Sequence, residues 1–520
     1  MITVKTIDIK LKMLICLFML SGCCTIFFLR SSSYLTYHEA FVAQAAREMI
    51  QSGDWIVPTI NQTPWLEKPP APFWTTAIVG RLLGAIDEWT VRLPFAIAGI
   101  ILIFLVYQIA EDHFGLRVGV LAGCVQTTTI WYIVRSRLAE ADILLVAILT
   151  GIVFFFNRFR FFIDKENIQK ATFYQYCFYI LLGLSSLVKG IGFGAALVLP
   201  VVAVVLFWDR DMKSTKKLIL NPAGWILFLS IGFWWPVVVY LRYPKALQLW
   251  TLHIVDRLAS KPTEFSGENP IQYLFAYFWQ TLPWTPFAIL GVWKSRSGLW
   301  NSEDSESSIN RTLIAWMIIP ALLVSCASAR NAHYLIYSYP AWSIQAARSL
   351  DRAFSLFSKR GRRLLVSVFP TIGILCAVYH GAIAHRFDRR GQEWKFYQQI
   401  HTEILNQKGP VYLLYDDWDR KPYRTPFGSF PHDLGVRLFY LDRSQVLWSD
   451  DVRVVDSYKN QYGYQSIFVV ARRRDLPVLN RLGDVKERLE GPRVRWDRCF
   501  VLFQIESDEE IARTHGISSE

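Results

Sequence analysis

Two short stretches hold residue types that could act together on one substrate. In 34–74, "YLTYHEAFVAQAAREMIQSGDWIVPTINQTPWLEKPPAPFW", His38 and Glu39 stand side by side, and Glu67-Lys68-Pro69-Pro70 follows. The stretch "RSRLAEAD" at 135–142 ends on another acid, Asp142, behind Arg135, Arg137 and Glu140. Two carboxylates from separate loops can hold a divalent cation, or divide the roles of general base and electrostatic stabiliser. If a metal is the cofactor, Asp142 and His38 are its expected ligands, because neutral imidazole binds metals and, without one, acts as a base near pH 7. Lys68 is presented on a path fixed by the two prolines after it. Such a lysine is either a snorkelling cation at lipid headgroups or a ligand for a lipid phosphate. Taken alone, Asp142 reads equally well as a helix cap.

The elements that must position these groups are membrane helices. The 520 residues are 52% hydrophobic and 19% charged, against about 25% charged in a soluble protein. Expected spans are 12–30, 89–111, 117–134, 141–157, 173–188, 190–208, 221–241, 273–293, 311–329, 333–348 and 364–384, while 72–86 is too short to cross. The net charge of +13 does not argue for nucleic acid, since Lys and Arg gather in short loops between apolar runs. Lys5, Lys10 and Lys12, 158–170, 209–217 and 349–363 fall on one side, which the positive-inside rule makes cytoplasmic. Leu20-Ser21-Gly22-Cys23 resembles a lipoprotein cleavage site, but apolar residues continue to Arg30, so an uncleaved anchor helix is expected. The cysteines sit in or beside apolar runs apart from Cys499, with no CxxC, so neither a disulfide framework nor a zinc knuckle is expected.

This topology collects the chemically useful residues on the outer face: the 31–88 loop, 135–142, Lys189, 242–272 and "SARNAH" at 328–333. Polar groups at helix ends are costly unless paired or hydrated, so their convergence marks a site. In the first loop Tyr37, Ala40, Phe41, Ala45 and Met49 recur at helical spacing, which predicts a helix lying along the membrane surface. Glu39 stands in its first turn, where the helix dipole favours an anion.

Several motifs together carry a resemblance. They are the opening "HEAFVAQAAREMIQSGDWIVPTINQTPWLEKPP", "RLAEADILL" at 137–145, "LVKGIGF" at 187–193, "HIVDR" at 253–257, "PIQYLFAYFWQTLPW" at 270–284 and "HYLIYSYPAWS" at 333–343. Over residues 10–385 the chain resembles the bacterial membrane glycosyltransferases related to lipid A aminoarabinose transferase. These group with the protein O-mannosyltransferases in the GT-C class. The resemblance implies inverting transfer of a sugar from a polyprenyl-phosphate carrier to an extracytoplasmic glycolipid, glycan or protein. It implies that Asp142 and Glu39 are catalytic, with His38 beside them. Lys68 and Arg257 match carrier-phosphate positions, with Glu67 and Lys189 joining that set, and Tyr37, Trp65, His253 and Tyr334 line the groove. Two departures stand out. His38 occupies the position of the family's aspartate, and Phe41 that of a common arginine.

The fold class expected is therefore a polytopic α-helical membrane protein of GT-C type, with about 11–13 spans, interfacial helices and a C-terminal extracytoplasmic α/β domain. The expected domains are 1–385, which includes the 31–88 loop, then 386–510, then a flexible 511–520. In the second of these, 409–418, 436–442, 465–473 and 499–506 read as strands and "DLPVLNRLGDVKERLEG" as a helix. The expected location is the bacterial inner membrane, with donor, acceptor and membrane lipids as partners and no nucleic acid. Rival readings are a relative that binds the lipid carrier without transferring its sugar, and a transporter. The transporter is disfavoured because acids are rare deep in the spans.

Overall fold

A computed structural model describes residues 4–30, 33–258, 270–300, 305–326, 331–388, 391–405, 411–414, 423–431, 433–443, 446–449, 454–455, 466–493 and 499–506. The chain divides into two compact units. One comprises Met1–Ser32, Trp55–Val57 and Leu66–Ile383; the other comprises Ser33–Asp54, Pro58–Trp65 and Ala384–Glu520.

The first unit is a helical bundle. Among the described residues, Glu88–Phe114, Ala141–Asp164, Pro222–Arg242, Glu306–Ser325 and Lys359–Phe387 are long and apolar enough to cross a membrane. The expected spans 12–30, 173–188 and 190–208 fall on the helices Val4–Thr25, Ile168–Ser186 and Phe193–Trp208. The expected 117–134 span is broken at Thr129, between Leu116–Thr128 and Ile130–Ser136. The expected 273–293 span is likewise broken, between Pro270–Trp279 and Thr285–Ser295. The two breaks satisfy one another. Ile130 N donates to Leu282 O at 3.1 Å, Trp131 N to Gln280 O at 3.2 Å, and Trp284 Nε1 to Thr128 Oγ1 at 2.9 Å. Irregular backbone deep in a bundle is tolerated only when its groups find partners of this kind. The expected 333–348 helix also changes. Ala332–Ser338 is a 3₁₀ segment, and the α-helix begins at Tyr339 with Pro340 in its first turn, where a missing N–H costs nothing.

The second unit is built on a five-stranded sheet, ordered Leu447–Ser449, Val411–Leu414, Ser466–Arg472, Cys499–Glu506, Asp484–Arg493. The first three strands are parallel and the last two pair antiparallel. Tyr412, Leu414, Val469, Val501 and Phe503 form its core. Two expectations reverse here. Residues 436–442 fall in a helix, Leu434–Leu441, fixed at its start by Asp433 accepting from Arg437 Nε at 2.9 Å and Nη2 at 2.7 Å. Residues 484–493 form a strand instead of a helix, because cross-strand pairs hold their polar face: Lys486 to Glu506 and Arg488 to Gln504, both at 2.6 Å.

The helix Tyr37–Ser52 belongs to this second unit, which corrects its assignment to the membrane domain and to the membrane surface. Its residues Glu39–Ala46, Glu48 and Met49 are buried, so no broad face is left for lipid. It packs on Leu434–Leu441, where Gln44 Nε2 donates to Arg443 O at 2.9 Å and Arg47 Nη1 to Phe439 O at 3.1 Å. The following turn puts Asn61 and Gln62 at φ 55° and 61°, a left-handed conformation unfavourable for residues with a Cβ. Glu48 holds it there, accepting from Thr59 Oγ1, Asn61 N and Gln62 N at 2.6, 2.9 and 3.0 Å.

Candidate active site

Asp142 is the second residue of the helix Ala141–Asp164, and its side chain is almost fully buried. Both of its oxygens are occupied. Oδ1 accepts from Lys189 Nζ and from the Tyr337 hydroxyl, the latter at 2.6 Å. Oδ2 faces Arg135 Nη2 at 3.4 Å and His333 Nε2 at 3.9 Å. Arg135 also pairs closely with Glu140. Lys189 donates to the Tyr337 hydroxyl at 2.9 Å and lies 4.0 Å from the centre of the Tyr334 ring. A buried carboxylate is tolerated when its charge is matched and its lone pairs are filled, and both conditions hold here.

Each partner is delivered by a local device. Arg135 closes the helix Ile130–Ser136, and the next basic residue, Arg137, anchors that turn by donating to Cys24 O at 3.2 Å and Phe27 O at 2.8 Å. Lys189 lies in the turn between Ser186 and Phe193, whose Gly192 has φ 73°. Tyr334 and Tyr337 are three residues apart on the 3₁₀ segment, where that spacing puts side chains on one side. Trp316 Nε1 pins the segment by donating to Tyr337 O at 3.0 Å.

The proline knot is tied to the same neighbourhood. Ala71 N donates to Leu187 O at 3.0 Å, two residues before Lys189, and Trp250 Nε1 donates to Leu66 O at 2.8 Å. Trp250 lies on Lys245–Leu258, the helix that carries His253 and Arg257, whose side chains fall outside the described residues. Trp74 and Trp235 fasten Trp55 O and Ile56 O at 2.5 and 2.7 Å. Three expected cation-bearing elements thus meet through main-chain anchors. Glu67 and Lys68 are both half-buried, and Lys68 has no anionic partner among the described residues.

The remaining expected residues stand in the second unit. Glu39 is fully buried, and its Oε2 accepts from Thr36 N at 2.9 Å while Thr36 Oγ1 accepts from Glu39 N at 3.4 Å. That reciprocal pair is a capping box. His38 is exposed, its ring 4.8 Å from that of Tyr37. Tyr37, Phe41 and Trp65 form an aromatic row with centroids 4.9 and 4.7 Å apart. Phe41, the departure from the family's arginine, is used for packing.

Of the residues expected from sequence, the structure brings together Asp142, Lys189 and Tyr334. It adds Arg135, Glu140, His333 and Tyr337, which the sequence reading did not assign. The signal for Tyr337 was its three-residue spacing from Tyr334. Asp142 does not suit a metal, because N–H and O–H donors occupy both oxygens. Among the described residues no group of three or more His, Cys, Asp or Glu could hold one.

The mostly helical bundle with a sheet-containing C-terminal part shares its fold with solved structures of ArnT. The profile of the dolichyl-phosphate-mannose-protein mannosyltransferase family matches residues 67–239. The undecaprenyl phosphate-α-4-amino-4-deoxy-L-arabinose arabinosyl transferase of Shewanella sediminis is 27% identical over 474 residues, covering 85% of this chain and 81% of that one. The chain spans 52% to 60% of three other arabinosyl transferases. Among solved structures, apo ArnT from Cupriavidus metallidurans superposes with a TM-score of 0.73 at 18% identity, covering 96% of this chain and 98% of that one. The same protein bound to undecaprenyl phosphate superposes at 0.72 with 17% identity, covering 95% and 97%.

Proposed function

We propose that the protein is a membrane glycosyltransferase that moves a sugar from a polyprenyl-phosphate carrier to an acceptor glycolipid, glycan or protein, with inversion at the anomeric carbon. The observation that carries this reading is the buried Asp142 centre, with Lys189 at its edge and the Lys68 knot tied two residues from Lys189. In the reaction the acceptor oxygen bonds to the anomeric carbon, the bond from that carbon to the phosphate oxygen breaks, and the acceptor proton passes to Asp142. Polyprenyl phosphate leaves with the bonding electron pair, and cations at Lys68, Lys189 and Arg257 compensate its charge. Arg135 and His333 keep Asp142 ionised and oriented. Glu39 holds the start of its own helix through the capping box, with His38 beside it. The basic loops at 158–170, 209–217 and 349–363 argue for an extracytoplasmic site in a bacterial inner membrane.

Incubating the purified protein with a labelled polyprenyl-phosphate sugar and a membrane glycolipid fraction tests the reading. Release of free polyprenyl phosphate together with a labelled acceptor is expected. Carrier bound without any release would identify a carrier-binding protein instead.

A further inference from the structure

We propose that Lys189 is an exchanging cation, paired with Asp142 while the carrier site is empty and transferred to the carrier phosphate when the donor binds. The exchange frees Oδ1 of Asp142 to take the acceptor proton. This rests on the glycosyl-transfer reading above and adds an order of events to it.

The four groups around Asp142 are not equivalent. Arg135 is held from both sides, by Glu140 and by Asp142. Tyr337 is fully buried, with its main chain fixed by Trp316. Lys189 is different, because among the described residues its ammonium has one anionic partner, Asp142, beside the Tyr337 hydroxyl and aromatic rings. It is carried on a four-carbon stem in a turn containing Gly190 and Gly192. A buried ammonium needs a counter-anion, and here that anion is the expected base itself. With Lys189 and Tyr337 both on Oδ1, neither lone pair of that oxygen is open to a substrate proton.

A phosphate changes this balance. Lys68 is a half-buried cation with no anion of its own among the described residues, and the Ala71–Leu187 hydrogen bond ties its segment to that of Lys189. The donor's phosphodiester settling on Lys68 offers two non-bridging oxygens to an ammonium, and negative charge grows on it as its bond to the sugar breaks, so it draws the ammonium of Lys189. Asp142 then keeps Tyr337 on Oδ1 and Arg135 with His333 on Oδ2, so it stays ionised and aligned with one lone-pair position open.

The test is binding of sugar-free undecaprenyl phosphate to the full-length protein in nanodiscs. If Asp142 competes for Lys189, Asp142→Asn binds this carrier about tenfold tighter than wild type although it cannot catalyse transfer, and Lys189→Gln binds it about tenfold more weakly. In the Lys189→Gln background, adding Asp142→Asn brings no further gain. Tightening that persists in that background would mean simple charge repulsion and overturn the exchange, as would unchanged or weaker binding by Asp142→Asn. If the variants do not fold, a structure of the loaded wild type decides. Lys189 Nζ beyond about 4 Å from Asp142 supports the exchange, and a retained ion pair refutes it. A wild type that binds no carrier would reject the glycosyl-transfer reading itself, whereas binding without the exchange signature rejects only the exchange.

Discussion

Asp142 is neutralised by residues from three separate segments, and its chemistry depends on which of them is removed. Tyr337→Phe deletes the hydroxyl that touches both Asp142 and Lys189 while keeping the ring. The expected cost is about 1–2 kcal/mol of stability for the buried partners left short. Turnover should fall by about tenfold, because the proposed base loses its alignment. Thermal unfolding followed by tryptophan fluorescence and a transfer assay measure the two effects separately. Arg135→Met should be more severe, at about 3–5 kcal/mol, because it leaves Glu140 without its arginine in a buried setting. Asp142 and Lys189 were legible from sequence because polar residues at helix ends stand out in an apolar chain, whereas Tyr334 entered only through the family resemblance. Arg135 and His333 were quoted as parts of motifs but not as partners of Asp142, since nothing in one sequence tells which of several cations a carboxylate will choose.

Elements bring these residues together through main-chain anchors more than through side-chain contact. Trp250 Nε1 on Leu66 O and Ala71 N on Leu187 O hold the proline knot beside the Lys189 turn. Trp250→Phe keeps most of the ring volume and removes the hydrogen bond, so stability should fall by only about 1 kcal/mol. Affinity for the carrier should fall more than stability does, and titrating undecaprenyl phosphate against the variant checks this. In the other unit, a Cβ added at Gly435 would come within 3.0 Å of the Phe41 ring. Gly435→Ala should therefore cost about 1–3 kcal/mol, seen as a lower first transition on heating. The helix Tyr37–Ser52 was legible as a helix but not in its setting. Helical spacing of apolar residues shows that a face is buried and says nothing of what buries it. Leu434–Leu441 was misread because a short apolar run has no period that separates strand from helix. Asp484–Arg493 was misread because its charged residues find their partners only across the sheet.

At the level of the molecule, the helix Ala141–Asp164 carries an ion cluster at each end. Arg160, 18 residues beyond Asp142 and so about 27 Å along the axis, pairs with Asp209 at 2.7 Å and Asp211 at 2.9 Å, while Arg311 reaches Asp209 at 3.0 Å. Both clusters are networks of ion pairs, and the expected carrier-phosphate lysine, Lys189, belongs to the Asp142 end. Asp209→Asn should lower stability by about 3–5 kcal/mol and leave turnover per folded molecule unchanged, a contrast that a thermal-shift and activity pair would reveal. The membrane class, the bundle and the C-terminal α/β part were all readable from composition and apolar runs. The allocation of 33–54 and 58–65 to the second unit was not, because chain proximity to the first membrane helix concealed where those residues pack.

The most direct measurement is single-turnover transfer from a polyprenyl-phosphate sugar by wild type and by Asp142→Asn, each loaded to saturation with donor. A buried general base predicts a fall of at least about a hundredfold in the transfer step with donor still bound. Equal rates in the two proteins would contradict the assignment of Asp142 as the reacting base.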